Sequence, residues 1–248
     1  MTGMATGNIA LDTRASGECN ICGSLTLLKQ RRQAICVCCR SDARTRLMWL
    51  LLTSRDLLRR GMRVLHLAPE CAIAGRLAAL VGDGYEPADI NPAGFPDVPG
   101  IRKLDLTVNA SALPSGHYNV IIHSHVMEHV RCNVTAVLYH LHRALTPNGK
   151  QVCSIPISRD GNYAEDLSSM IEADEAVRFG QSDHVRRFAA SDIQLTLGMT
   201  FRLPREYNLY DEFSPQILDR FGIHGAMRTG WSPSSVLVLG KDDLLLTT

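Results

Sequence analysis

Aromatic side chains are scarce. Phe, Tyr and Trp together make up 6% of the 248 residues, and only 2 are Trp. No aromatics interleave the basic residues, as a platform for stacking bases would require. An excess of one charge is also missing, since Lys+Arg number 26 and Asp+Glu 25, for a net charge of +1. That balance excludes bulk attraction to nucleic acid or to a membrane surface and leaves room only for a local patch. No apolar run approaches the ~20 residues that span a bilayer. The opening stretch, MTGMATGNIALDTRASGE, lacks a basic-then-apolar leader pattern, so a cytoplasmic protein is expected. Repeats and low-complexity segments are absent. With 45% hydrophobic and 21% charged residues, the composition is that of an ordinary folded chain.

What is present is a cluster of cysteines. Five of the 8 (Cys19, Cys22, Cys36, Cys38 and Cys39) fall in one short stretch. A reducing compartment disfavours a disulfide framework, and clustered thiols there point to metal. Cys19-x-x-Cys22, thirteen residues, then Cys36-x-x-Cys39 is a zinc-ribbon spacing. Two tight turns bring four thiolates into a tetrahedral site, which predicts structural zinc on Cys19, Cys22, Cys36 and Cys39, with Cys38 as a spare thiol. Around them lie Lys29, Arg31, Arg32, Arg40, Arg44 and Arg46. They read as a solvated face; contact with nucleic acid is the alternative.

The chain divides into a disordered tail (1–17), a zinc ribbon with a linking helix (18–60) and a larger domain (61–248). From Arg63 onward strands alternate with helices: RVLHLA, then AIAGRLAALVG, then GYEPADI, GIRKLDL and YNVIIHS, then NVTAVLYHLHRAL and KQVCSIPI. This rhythm predicts an α/β fold with a doubly wound parallel sheet covered on both faces. Residues 157–187 are polar and read as a long functional loop without a clear strand. MTFRLPREYNL and SSVLVLGKD read as the last strands, and SPQILDRFG as a helix capped by Ser214.

The run VLHLAPE, ADINP, LDLT, YNVIIHSHVMEHV and LHRALTPNGKQVCSIPI resembles the motif order of class I S-adenosylmethionine-dependent methyltransferases. It is similar to the branch with an N-terminal zinc ribbon, in which FGQSDHVRRF also recurs. The resemblance covers residues 19–240 and implies a Rossmann-like seven-stranded sheet with S-adenosylmethionine at the carboxyl ends of its strands. It implies cofactor contacts by Ala68, Pro69, Glu70, Asp89, Ile90, Asp105, Leu106 and Ser124. Ala68, Glu70 and Ala72 stand where the family usually has glycines. Glu70 is a candidate partner for the cofactor's ammonium and Asp89 for its ribose, whereas His66 reads as a core histidine. Asp105 and Leu106 are implied at the adenine, although either aspartate alone also fits a turn or cap.

His125-Val126-Met127-Glu128-His129 follows the most apolar strand. On a helical turn, His125, Glu128 and His129 share one face, and two imidazoles and a carboxylate suit a second divalent metal. Such a metal holds acceptor oxygens and lowers their pKa. His184 is a further candidate, as fourth ligand or general base, with Asp183 and Arg186 beside it. The bland reading is that these residues merely pack near the cofactor. The expected activity is methyl transfer to a small-molecule acceptor, with an oxygen favoured. The alternatives are an RNA methyltransferase that reads through its zinc ribbon, a non-catalytic protein that keeps the fold as a binding scaffold, and a zinc peptidase with an inverted HxxEH motif.

Overall fold

The computed structural model describes residues 14–15, 17–30, 33–168, 178–179 and 181–246. Most of the expected N-terminal tail lies outside these residues. Within it, β1 (Arg14–Ala15) is ordered and pairs antiparallel with β2 (Leu27–Gln30), which pairs with β3 (Gln33–Cys36). This small sheet presents Cys36 beside the loop that carries Cys19 and Cys22.

Helix α1 (Ala43–Ser54) follows. Its cap is Asp42, whose carboxylate accepts from Thr45 N at 2.7 Å. Ser41, the residue before it, holds its Oγ 3.3 Å from Cys19 Sγ and 3.2 Å from Cys39 Sγ. Leu47, Met48 and Leu52 of this helix are fully buried. They join Cys19, Leu27 and Cys36 in the same hydrophobic core as the main sheet.

The main sheet is built from β4 (Val64–Leu67), β5 (Tyr85–Asp89), β6 (Arg102–Lys103), β7 (Tyr118–Ser124), β8 (Leu145–Ser154) and β12 (Val236–Gly240). The order across it is β12-β8-β7-β4-β5-β6. Every pairing is parallel except that of β12 with β8. Helix α2 (Cys71–Val81) links β4 to β5, α3 (Leu106–Asn109) follows β6, and α4 (Val134–Ala144) links β7 to β8. The central strands are buried on both faces, as parallel pairing under helices requires. Gly84 lets the chain enter β5, because a Cβ there would stand 2.0 Å from the Met62 carbonyl oxygen.

Two expectations are corrected. The main sheet has six strands among the described residues, not seven. The segment read as another strand, MTFRLPREYNL, contributes only isolated bridges, Phe201 to Leu244 and Asn208 to Thr229. Pro204 has no N–H to donate in its middle. The polar stretch 157–187 does contain strands: β9 (Ile157–Ser158), β10 (Ala164–Glu165) and β11 (Arg186–Ala189) form a second small sheet. Arg186 is fully buried and donates to the Met127 and Cys132 carbonyls and, at 2.8 Å, to Glu165 Oε2. That guanidinium ties β11 and β10 to the turn after β7.

Candidate functional site

A cavity of about 650 Å³ opens at the carboxyl ends of β4, β5 and β7. That volume lies in the ordinary range for a small-molecule site, and this is the end of the sheet where doubly wound folds take their ligands. Leu67 and Ala68, Asp89 and Ile90, and Asp105 and Leu106 line one part of it. His125, Val126, His129, Arg131 and Asp183 line the other.

Two residues at these strand ends adopt left-handed backbone, Ala68 with φ 46° and His125 with φ 54°. Neither is glycine, so each carries strain, and such strain is concentrated at functional sites. Ala68 thus holds the conformation for which a glycine would be the unstrained choice.

Of the eight cofactor candidates, Ala68, Asp89, Ile90, Asp105 and Leu106 line the cavity; Pro69, Glu70 and Ser124 are not among its lining residues. Asp89 Oδ1 accepts from Asn91 N at 2.7 Å, and Asp105 Oδ1 caps α3 by accepting from Thr107 N at 2.9 Å. Each carboxylate therefore uses one oxygen locally while its residue faces the cavity. Ser124 Oγ is buried without a hydrogen-bond partner among the described residues.

Glu70 accepts from His66 Nε2 at 2.8 Å, and the other ring nitrogen of His66 lies 3.0 Å from Tyr85 Oη. Burial alone would raise the Glu70 carboxyl, but the hydrogen bond and charge of His66 outweigh it and hold it below its usual value. Its second oxygen, Oε1, is buried and unpartnered among the described residues. His66 is fully buried and is satisfied by these two contacts, as its reading as a core histidine requires.

On the acceptor side the expected helical turn is absent. His125 has left-handed backbone, and of the four residues that follow it Met127–His129 form a turn. Arg44, from the second residue of α1, donates from Nη1 to His125 Nδ1 at 3.3 Å; His125 Nε2–H donates to the Pro233 carbonyl at 2.8 Å. Burial, with the Arg44 charge beside it, pushes the His125 imidazole down to about 4.

His125 Nδ1 still lies 3.7 Å from Glu128 Oε1. The potential ligand atoms gathered within 4.8 Å of one another, however, come from Glu128, His129 and His184. His184 therefore takes the place that the sequence assigned to His125. The His129 and His184 rings meet edge to face with centroids 4.7 Å apart.

At the same, N-terminal end of α1 lies the cysteine cluster. Cys19, Cys22, Cys36 and Cys39 hold their Sγ atoms within 4.8 Å of one another, whereas Cys38 is exposed. Cys19 Sγ to Cys39 Sγ and Cys22 Sγ to Cys36 Sγ are each 3.5 Å. A tetrahedral zinc with 2.3 Å bonds sets its sulfurs about 3.8 Å apart, so the four thiols fit that ion.

A family model described as a methyltransferase domain matches residues 30–207, most of the chain. The chain belongs to this methyltransferase-domain family. The parallel sheet and the cavity at its carboxyl edge agree with a class I S-adenosylmethionine-dependent methyltransferase. No curated protein matches the sequence. Among solved structures, the S-adenosylmethionine-dependent methyltransferase from Mesorhizobium loti is similar at 17% identity, covering 77% of this chain and 95% of that one, with a TM-score of 0.48. A methyltransferase from Archaeoglobus fulgidus is similar at 16% identity over 62% of this chain and 67% of that one, with a TM-score of 0.42. The CurJ carbon methyltransferase shows 23% identity over 47% of this chain, with a TM-score of 0.37; the match spans only 35% of that longer chain.

Within this methyltransferase domain, sequence reasoning overlooked Arg44. It was counted with a solvated basic face, yet it reaches the cavity wall. Arg46 is likewise turned inward and fully buried. Only their placement on the first turn of a buried helix carried a signal. The peptidase alternative needs HxxEH inside a helix, and here the motif sits in a turn directly after β7. No helix among the described residues is long and apolar enough to cross a membrane.

Proposed function

We propose that this methyltransferase transfers the methyl group of S-adenosylmethionine to an oxygen of a small polar acceptor, in the cytoplasm. The observation that carries the reading is the cavity itself. Its wall has carboxylates at the ends of β5 and β6 and imidazoles at the end of β7. The lining residues fit the cofactor: Asp89 suits ribose hydroxyls, and Asp105 and Leu106 the adenine edge. When bound, S-adenosylmethionine supplies an electrophilic methyl on a sulfonium.

The chain's own residues do the rest. Ala68 and Ile90 offer apolar surface to the cofactor beside the two aspartates. His125 and His129 face the acceptor, with Glu128 and His184 behind them. The Nδ1 proton of His129 is committed to the Asp183 carbonyl at 3.2 Å, which leaves Nε2 with a lone pair. That lone pair has two uses: it accepts the proton of an acceptor hydroxyl, or it ligates a metal that lowers the hydroxyl's pKa. The surroundings of Glu128 decide between them below. We place structural zinc on Cys19, Cys22, Cys36 and Cys39, in a module of residues 18–60 that precedes the catalytic domain of residues 61–248.

The test is calorimetric titration of the purified protein with S-adenosylmethionine and S-adenosylhomocysteine, followed by labelled methyl transfer to a panel of hydroxylated small molecules. Micromolar binding of both and label on oxygen are expected. Failure to bind either ligand sinks the reading and favours a scaffold that keeps only the fold. Label appearing on co-purified RNA, in binding weakened by salt, moves the RNA alternative to first place.

A further inference from the structure

We propose that Glu128, His129 and His184 form a site for a divalent first-row transition metal on the acceptor wall of the cavity. As a place for the acceptor oxygen it rests on the methyltransferase reading; as a metal site it stands on the side chains alone.

The first observation is Glu128. It is 0% exposed, and neither Oε1 nor Oε2 has a hydrogen-bond partner among the described residues. A buried carboxylate without donors is costly and calls for something to fill the gap. Neither neighbouring guanidinium fills it: Arg44 turns Nη1 to His125, and Arg186 is spent on the Met127 and Cys132 carbonyls and on Glu165.

The second observation is the direction of the two imidazoles. His129 Nδ1 is 3.2 Å from the Asp183 carbonyl and 3.3 Å from Asp183 Oδ2, so its proton belongs there. The His184 ring meets the His129 ring edge to face, with centroids 4.7 Å apart. His129 is thus left with a lone pair on Nε2, which lies 3.8 Å from Glu128 Oε1, and a ring nitrogen of His184 lies within 4.8 Å of both ligand atoms. Acceptors gathered around an acceptor repel one another unless a cation lies between them. A carbonyl or carboxylate such as Asp183 behind His129 is also the usual outer support of a metal-bound histidine.

Distances agree. Bonds of 2.0–2.2 Å in a tetrahedral polyhedron separate the donor atoms by about 3.4 Å, close to the 3.8 Å seen here. Two imidazoles and one carboxylate favour zinc, manganese, iron, cobalt or nickel over magnesium or calcium. Three protein ligands leave coordination positions open, and His129 and Asp183 line the cavity, so an acceptor hydroxyl has access to them.

The test uses the full-length protein with its four-cysteine site filled with zinc, as counted by elemental analysis. Cobalt(II) is then added and followed by visible absorption, calorimetry and the paramagnetically shifted imidazole N–H resonances. One further cobalt per chain is expected, with two such resonances. Glu128→Gln and His184→Ala are expected to weaken its binding by roughly 10–100-fold or more while circular dichroism stays unchanged. If either variant fails to fold, the two shifted N–H resonances of the unaltered protein still decide. No cobalt beyond the four-cysteine site, or undiminished binding in Glu128→Gln, overturns the proposal and assigns the gap at Glu128 to a proton. S-adenosylmethionine binding is measured in parallel. Normal cofactor binding without metal sinks the metal site and spares the methyltransferase reading. Glu128-dependent metal binding without cofactor binding supports the site and sinks that reading.

Discussion

The four-cysteine module and the parallel sheet share one hydrophobic core but are held in opposite ways. β4 and β7 are buried along nearly their whole length and are paired on both sides, so many weak contacts specify each strand. The module has strands of two to four residues, and its fully buried apolar side chains include Leu27 beside the thiols of Cys19 and Cys36. Its order depends on a few point attachments: four sulfurs, the Ser41 hydroxyl and one guanidinium. Redundant encoding tolerates single changes, and point attachment does not.

The largest effect is expected from the sulfurs. Structural zinc in small modules carries apparent binding free energies of about 10 kcal/mol or more, much of it coupled to folding. Cys22→Ser, or a strong chelator, should release one zinc per chain and open the module to proteolysis before residue 43. The sheet should remain protected. Equal protease resistance with and without chelator would mean that thiols and packing alone hold the module.

Next comes Arg46. Its guanidinium donates to the carbonyls of Phe221 at 2.7 Å, Ser41 and Ala34 at 2.8 Å each, and Gly222 at 3.3 Å. It therefore fastens the module to the loop after a helix more than 170 positions away in sequence. Arg46→Met keeps the stem but leaves these carbonyls without their donor. Urea unfolding should show a loss of about 3–5 kcal/mol. A loss under 1 kcal/mol would show that water replaces the guanidinium without strain.

Legibility in the sequence follows the same contrast. The sheet was readable because apolar runs and turn signals repeat one message, and Ser214 caps its helix as its position suggests. The cysteine spacing was readable because metal geometry is local. Arg44 and Arg46 were not, because a basic run looks the same whether it faces water or buried carbonyls. β11 was hidden in a polar stretch, since its pairing with Ile157 and Glu165 is tertiary. The left-handed turn at His125 was hidden as well, because HVMEHV reads as helical. The candidate site was thus read correctly as a list of residue types and only partly as an arrangement.

His123 tests the sheet side. It is fully buried in β7, accepts from Gln151 Nε2 at 2.9 Å, and burial pushes it down to about 4. Unfolded, it titrates near 6.5. Between these values the unfolded chain binds a proton that the folded chain refuses, so stability falls as pH drops from 6.5 toward 4 and is flat above. At pH 5 the loss relative to pH 7 amounts to about 2 kcal/mol. His123→Gln should lower stability at pH 7 yet reduce this acid sensitivity by that amount in urea titrations. An unchanged pH dependence would assign the acid sensitivity to other groups.

The smallest effect is the one that asks whether the two regions are separable. Asp89 stands at the end of β5, remote in sequence from the cysteines, and its carboxylate already anchors Asn91 N through one oxygen. Asp89→Asn keeps that local acceptor but weakens acceptance from ribose hydroxyls. Affinity for S-adenosylhomocysteine should fall about tenfold, roughly 1.4 kcal/mol. Repeating the titration after zinc removal completes a double cycle. Arg44 joins α1 to His125 on the cavity wall, so loss of the module should weaken binding to both proteins. If that is its only route to the cavity, the ratio between them stays near tenfold, since Asp89 shares no partner with Arg44. A ratio that collapses toward one would mean that the end of β5 also depends on the module, and that the four cysteines help to shape the cofactor site itself.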